Sequence, residues 1–379
     1  MGLATILLSV AAQLVTASPQ TFEADEVVVL GRRAEKGLKK CLQRQCPPAE
    51  EVEASLQAAV EQFAAGHYAD AHRTLQKAIH RNKKHAAQLP GPVSSLYATL
   101  ATVAEHEGYK SLWKYAARQN VVLLREHLGA TTPATLTQEI QRADDMLGLG
   151  MPDVAEGIYK KVQRLAVAED HRTLAAAATY RRAWLALMRD RYAEADKLAR
   201  EGATIAGPSQ PAMVEVRDVL LARIANRRGD KGAVEALAAR LRQSATQTPT
   251  LLSAPPVDDI NPPPGSSDRF ERDPVRWADI GYWIRPNGHT ADVEMLRTSG
   301  LGQWRVGILR HVGARRYVPL AVDPSSPGIY RIDRFTVRAV FGVPLGSHIP
   351  SRMGPLTVHI VDLTETNAMI ASQETVPGR

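Results

Sequence analysis

The apolar positions between residues 50 and 244 follow helical spacing, and the pattern itself repeats along the chain. A short turn followed by a small apolar residue recurs, and the residue near the start of each second helix is in turn Ala71, Leu112, Ala155, Ala195 and Val234. These positions lie 41, 43, 40 and 39 residues apart. Such a period predicts pairs of helices that bury their apolar faces only by stacking on their neighbours.

The stretch from residue 245 to residue 268 interrupts the helical pattern. Six prolines fall between residues 249 and 264, and proline prevents a helix while favouring extended backbone. We therefore predict a linker at 245–268 between a helical repeat domain at 50–244 and a second domain at 269–363. A cut in this linker is expected to release two stable pieces.

Beyond the linker the apolar period changes to two, which is typical of strands. A β-β-α-β order is predicted, and the segment 354–363 is a possible further strand. The predicted elements are a strand near 278–284, a turn at Arg285–Gly288, a strand at 290–297, a helix at 302–312 and a long strand at 330–341. The fold class is thus mainly α, with a helix-pair superhelix followed by a small α+β domain.

The long predicted strand has two different faces. Phe335, Val337 and Phe341 share the face expected to be core, and the opposite face carries Arg334, Thr336 and Arg338. We interpret this strand as the open edge of the sheet. The candidate partner-binding residues are Arg331, Arg334, Thr336 and Arg338, with a merely solvated outer face as the alternative.

Charge is distributed unevenly along the 379 residues. The net charge is +7, no lysine follows Lys231, and thirteen arginines face seven acidic residues between positions 269 and 352. A basic domain implies an anionic partner or surface. Nucleic acid is not predicted as a partner, because the N-terminus indicates export.

That N-terminus is apolar or small from Leu3 to Ala17, and Val15-Thr16-Ala17 fits a signal-peptide cleavage site. Residues 1–17 are predicted to be a signal peptide directing the chain to the periplasm. The alternative is an uncleaved anchor in the inner membrane, the one case in which membrane association is expected. Residues 18–49 form an N-terminal extension and 364–379 a C-terminal tail.

Candidate chemistry is sparse. Cys41 and Cys46 are either a local disulfide or two free thiols, and a zinc site is not predicted because no second pair exists. His67, His72, His80 and His85 are interpreted as solvated. Common hydrolase, phosphate-binding and dinucleotide motifs are absent from the sequence. No catalytic residue, metal site or cofactor is therefore predicted.

Two resemblances add to this interpretation. The repeats are similar to tetratricopeptide repeats, most clearly at Gly66, Tyr68, Ala71, Leu75 and Ala78 and again at Tyr192, Ala195 and Ala199. This resemblance implies a concave surface that binds peptides or proteins.

Residues 276–341 resemble the C-terminal domain of TonB-type energy transducers. The similarity lies in Gly281–Gly288, Val293–Gly300, the helix, Arg316–Pro319 and Arg331–Val337. It implies a periplasmic domain that pairs a strand edge with an extended segment of an outer-membrane TonB-dependent receptor. Glu26–Gly31 resembles the start of the plug domain of such receptors, with an ordinary strand or tail as the alternative.

The leading hypothesis is therefore a non-catalytic periplasmic scaffold or adaptor in TonB-linked outer-membrane transport. The repeat groove and strand addition would bind its partners. One alternative is an envelope interaction protein without a transport role, and a further one is an envelope enzyme.

Overall fold

The computed structural model describes residues 33–245, 247–257, 260–261, 275–349 and 351–364. The predicted signal peptide or anchor, the Glu26–Gly31 segment and residues 365–379 lie outside this part of the chain. The described chain is mainly helical, with a small antiparallel sheet region toward its C-terminal end.

Helix α1 precedes ten helices that form five consecutive pairs. Helix α1 spans Arg33–Gln43. The pairs are α2 (Pro48–Ala64) with α3 (Tyr68–Asn82), α4 (Pro90–Glu107) with α5 (Lys110–Leu128), α6 (Pro133–Gly148) with α7 (Pro152–Ala168), α8 (Arg172–Met188) with α9 (Tyr192–Ala206), and α10 (Pro211–Arg227) with α11 (Ala233–Arg240).

The predicted repeat positions explain how these pairs stack. Ala71, Ala155 and Ala195 are each the fourth residue of a second helix and are fully buried, so their small side chains let neighbouring helices approach closely. In α5 the corresponding fourth residue is Trp113, and Leu112 is only partly buried. The repeat is therefore present, with its register at α5 one residue later than the sequence pattern indicated.

The C-terminal elements contain the predicted β-β-α-β order, with a two-residue strand added between the helix and the long strand and with a last strand at 351–362, where a further strand was possible. The strands are β1 (Leu251–Ser253), β2 (Arg276–Ile284), β3 (Thr290–Thr298), β4 (Arg316–Tyr317), β5 (Ile329–Gly342) and β6 (Ser351–Asp362), with α12 at Arg305–Gly313. Strands β3-β2-β5-β6 form one antiparallel sheet in that order, and β1 pairs with β4.

The prediction that the long strand is an open edge is wrong. Strand β5 is central, since it pairs with β2 over residues 329–337 and with β6 from Asp333 to Gly342. The segment following β5 turns back as β6 and occupies the position that a partner strand was expected to take.

The two faces of β5 pack against different layers. Phe335 and Val337 are buried against Ile308 and Val312 of α12, which confirms the predicted core face. Phe341 departs from it, because its ring lies 4.5 Å from that of Tyr109, in the turn between α4 and α5. The opposite face of the sheet lies against the helix pairs rather than solvent.

The predicted linker packs against the last helix pair. Leu252 and Ile260 are buried, and Leu252 joins a core cluster with Val219 of α10 and Val234 of α11. The Arg223 guanidinium donates to the Leu252 carbonyl oxygen at 2.7 Å. Arg316 of β4 also donates to Glu235 of α11 at 2.8 Å, so the α+β domain contacts the last helix pair as well as the first two.

None of the described helices combines the length and apolar character that crossing a bilayer requires.

Candidate functional site

Arg334 lies at the centre of the interface between the sheet and the first helix pair. Its side chain is completely buried and forms two hydrogen bonds with Asp279, at 2.6 and 2.9 Å. The same guanidinium donates to the carbonyl oxygens of Phe63 and Ala64 at 2.5 and 2.7 Å, and it stacks 4.0 Å from the ring centre of Trp277. These carbonyls end α2, where the helix dipole favours a cation.

Thr336 lies next to Arg334 on the same face and is also fully buried. Its hydroxyl is 2.7 Å from Nδ1 of His106 and 3.3 Å from the Tyr68 hydroxyl. The ring of His106 packs edge-on against Phe63, with 5.0 Å between ring centres. Tyr68, one of the residues that resemble the tetratricopeptide pattern, thus contacts the sheet directly.

Arg338 makes the equivalent contact with the second helix pair. Its Nε donates to the carbonyl oxygen of Glu105 at 2.7 Å, and Arg352 of β6 donates to the Glu107 carbonyl oxygen at 2.5 Å. Phe341 N–H donates to the Gly108 carbonyl oxygen at 2.9 Å. Arginines from the sheet therefore donate to backbone carbonyls at the C-terminal ends of both α2 and α4.

The predicted partner-binding residues are consequently not available as an exposed stripe. Arg334, Thr336 and Arg338 are at most 2% exposed, and Arg331 pairs with Asp362 across the β5–β6 ladder. The prediction failed because alternation along a strand defines two faces without specifying that the charged one meets solvent. Here the first two helix pairs cover it.

Burial changes the proton affinity of the groups in this interface. Burial raises the pKa of Glu105 to about 7, against the opposing attraction of Arg338. Burial lowers the pKa of His106 and of His359 well below their ordinary value, and nearby positive charge lowers both further. His359 Nδ1 lies 2.8 Å from Glu105 Oε1, so this pair forms a buried polar contact between β6 and α4.

The cysteines and the four singled-out histidines lie elsewhere. Cys41 and Cys46 form a disulfide at the end of α1. Within the described ranges, the cluster with metal-ligating geometry consists of these two cysteines and Glu50, and a disulfide leaves them no thiolate. His67 and His80 are exposed as predicted, whereas His72 and His85 are partly buried, and His72 contacts Glu107 at 2.9 Å.

A cavity of about 350 Å³ adjoins the sheet interface. Its walls come from the first helices of three successive pairs, α2, α4 and α6, together with α5 and the residues ending β6. Val60 and Ala98 supply apolar wall, whereas Asn120, Gln138 and Asp145 supply polar groups. Sequence reasoning did not identify this site, since its residues come from four helices that only stacking brings together.

Nothing in the sequence marks His106 or His359 as interface residues. They are distinguished by their burial beside charged groups, and that burial depends on the contact between the helical repeats and the α+β domain.

Among known proteins, similarity to this chain is found at the level of three-dimensional structure. No protein-family model matches the chain, and no curated protein matches it. Among solved structures, the crystal structure of BtubC (BKLC) from P. vanneervenii is similar over 56% of this chain and 86% of its own, at 17% identity and a TM-score of 0.43. A likeness at this level leaves the function of the chain open.

Proposed function

We propose that this chain is a non-catalytic protein-binding scaffold of the cell envelope. In this proposal, the cavity between α2, α4, α5 and α6 takes a segment of a partner protein. The observation that carries it is the composition of that cavity, in which small apolar walls adjoin side-chain amides. An amide both donates and accepts hydrogen bonds, so it suits peptide backbone and polar side chains.

The sheet supports this role by holding the helix ends in place. Arg334 and Arg338 fix the C-terminal ends of α2 and α4, which both contribute to the cavity wall. Val361 and Leu363 close one side of the cavity. A preformed site loses less conformational entropy on binding than a mobile one.

The finer parts of the proposal rest on sequence resemblance. We infer tetratricopeptide-like repeats, a TonB-like C-terminal domain, periplasmic location and a link to TonB-dependent outer-membrane transport. Retention in the inner membrane is the alternative location. An envelope interaction protein without a transport role is the alternative function.

Strand addition is a second candidate mode of binding, at a different strand from the one predicted. Strand β3 ends the sheet order, and Asp292, Glu294 and Leu296 are exposed along it. Strand β6 ends the other side, but the Asn261 side chain already bonds the N–H and carbonyl of Leu356 at 2.8 and 3.1 Å. We therefore assign strand addition to β3.

Capture from an envelope fraction tests the proposal. The full-length chain and the cavity-filling variant Ala98→Trp are compared as baits. Val154→Trp, on the exposed surface of α7, is the control. We expect specific partners to be retained by the wild type and Val154→Trp and lost with Ala98→Trp. Outer-membrane receptors among them favour the transport role, and envelope enzymes alone favour the alternative. Identical partners on all three baits would exclude the cavity as the binding site.

A further inference from the structure

The hairpin that joins β5 to β6 ends in an apolar tip. The ladder between the two strands ends where Gly342 pairs with its partner in β6. Around this end Leu345 is fully exposed and Ile349 is 75% exposed, and Val343 and Met353 are also exposed. The remaining exposed large apolar side chains of the described ranges are distributed over five different elements. Apolar side chains exposed singly are ordinary, whereas a group of them marks a binding surface.

The tip is held in shape by its own hydrogen bonds. Ser347 N–H donates to the Pro344 carbonyl oxygen at 3.1 Å. Gly346 has a φ of +78°, which a type II turn requires at its third residue, so Leu345 occupies the first corner of that turn. The Ser347 hydroxyl also accepts from the Ile349 N–H at 3.0 Å. The exposure of Leu345 therefore follows from a closed turn.

Basic side chains of α5 lie beside the base of this hairpin. Phe341 N–H donates to the Gly108 carbonyl oxygen at 2.9 Å, so the turn before α5 contacts the hairpin directly. Lys110 begins α5 two residues later. Lys114 and Arg118 follow at intervals of four residues and therefore share one face of the helix with Lys110. All three basic side chains are exposed.

The same surroundings contain little negative charge. The sequence has no aspartate or glutamate at 108–125 or at 334–361. Glu105 and Glu107, which precede the turn, contact histidines of the interface instead. Arg352 adds a positive charge at the base of the hairpin, where it pairs with the last residues of β5. An apolar tip flanked by bases is complementary to a surface that carries anionic groups above an apolar layer.

We propose that the tip of the β5–β6 hairpin and the basic face of α5 together bind the surface of a bilayer that contains anionic lipid. Val343, Leu345 and Ile349 enter the boundary between headgroups and acyl chains. Lys110 and Lys114 remain at the level of the headgroups and contact their phosphates. This membrane contact goes beyond the proposed scaffold function, and it involves neither the cavity nor the N-terminal segment.

The chemistry of the tip favours a bilayer over a protein surface. Residues 342–353 include no phenylalanine, tyrosine or tryptophan. The residues that dominate protein interfaces are enriched in tryptophan, tyrosine and arginine, and leucine and valine are under-represented among them. A second copy of this chain is also disfavoured, because a symmetrical contact would bring the basic residues of both copies together.

A fluorescent label at the tip of the full chain provides the test. Both cysteines of the sequence are in the disulfide, so Leu345→Cys supplies one thiol for an environment-sensitive fluorophore. Val167→Cys, labelled in the same way at an exposed position of α7, is the control. With vesicles of equimolar phosphatidylcholine and phosphatidylglycerol, we expect a blue shift and a rise in emission at position 345 and neither change at position 167. The N-terminal apolar stretch is common to both chains, so it does not account for a difference between them.

Vesicle titrations of the chain labelled at position 345 separate the apolar and the charged contributions. The further substitutions Val343→Ser and Ile349→Ser together should weaken binding at least about tenfold, because they remove apolar area from the lipid contact. Lys110→Gln and Lys114→Gln together should weaken binding to the anionic vesicles at least about tenfold and leave binding to pure phosphatidylcholine unchanged. High salt should have the same effect as the lysine substitutions. Val167→Ser should leave the affinity unchanged.

Other occupants of the tip give different results. A blue shift at position 345 that grows with protein concentration in the absence of vesicles would identify a second copy of the chain. A response to an envelope protein fraction without any response to vesicles would identify a protein partner. Either result, or equal responses of the two labels to vesicles, would overturn the proposal and leave the scaffold function as it stands.

Discussion

Arg334 and Asp279, on the adjacent strands β5 and β2, form a two-bond ion pair in which both side chains are completely inaccessible to solvent. Arg297 also contacts Asp279, at 2.5 Å. Because the same guanidinium reaches the end of α2, one side chain links the sheet to the helix pairs. A buried pair of this kind is costly to break, since removing one partner leaves a buried charge.

Replacing Arg334 should therefore lower the stability of the whole chain. Arg334→Ala is expected to lower the free energy of unfolding by about 3–5 kcal/mol. Urea unfolding followed by circular dichroism measures the change. Arg305→Ala, on the exposed surface of α12, serves as the control and should change stability by less than about 0.5 kcal/mol. Equal effects of the two substitutions would show that the interface does not contribute to stability.

Two equivalent turns allow the interface contact to be separated from backbone strain. Gly66 and Gly150 have φ values of +81° and +75°. A Cβ at Gly66 would lie 2.5 Å from the Trp277 ring, whereas one at Gly150 meets nothing within 4 Å. Alanine should cost about 1–2 kcal/mol at either turn through its left-handed backbone. At Gly66 we expect about 1–3 kcal/mol more from overpacking, and equal losses in thermal unfolding would contradict the contact.

Asp145 should make stability depend on pH in a direction unusual for a carboxyl group. Its folded pKa of about 8 exceeds the ordinary 3.8, so the stability it contributes is present below pH 3.8 and is lost as pH rises through 8. Asp145→Asn should gain stability relative to the wild type between pH 4 and pH 8, by on the order of a few kcal/mol. Urea titrations at both ends of this range measure it, and parallel curves would refute it.

The buried histidines should act in the opposite direction. Burial lowers the folded pKa of His359 below the ordinary 6.5, so its stabilising contribution is present above pH 6.5 and is lost as pH falls toward the folded pKa. His359→Gln should reduce the slope of stability against pH below 6.5 by up to about 1.4 kcal/mol per pH unit. The exposed His80→Gln is the matched substitution and should keep the wild-type slope over the same pH series.

Cleaving the linker should not separate the two parts of the chain. A protease site inserted between residues 264 and 265 would divide the chain there. Since Arg316, Arg334 and Arg338 bond residues on the other side of the division, we expect the fragments to elute together in size-exclusion chromatography. The same cut in Arg334→Ala should weaken this association. Two independently eluting, folded fragments would instead restore the modular arrangement expected from sequence.

Periodicity predicted the helix pairs and the β-β-α-β order because each depends on local spacing. It could not predict that β6 covers β5 or that Arg334 and Arg338 face helices, since both depend on how distant segments pack. The composition of the C-terminal domain nevertheless indicated buried charges. Arginine without lysine suits buried sites, because the planar guanidinium supplies several fixed donors. That bias predicts attraction to an anionic partner, whereas several of these charges bind carbonyls of the same chain.

Arg334 and the Phe63 carbonyl that it binds are 271 residues apart in sequence. A repeat array can ordinarily fold progressively, each repeat stacking on the one before. Here the ends of α2 and α4 obtain their final contacts only when β5 and β6 pack against them. The first repeats therefore remain incomplete until the strands near the far end of the chain are in place, so the sheet sets the time at which the first helices become fully native.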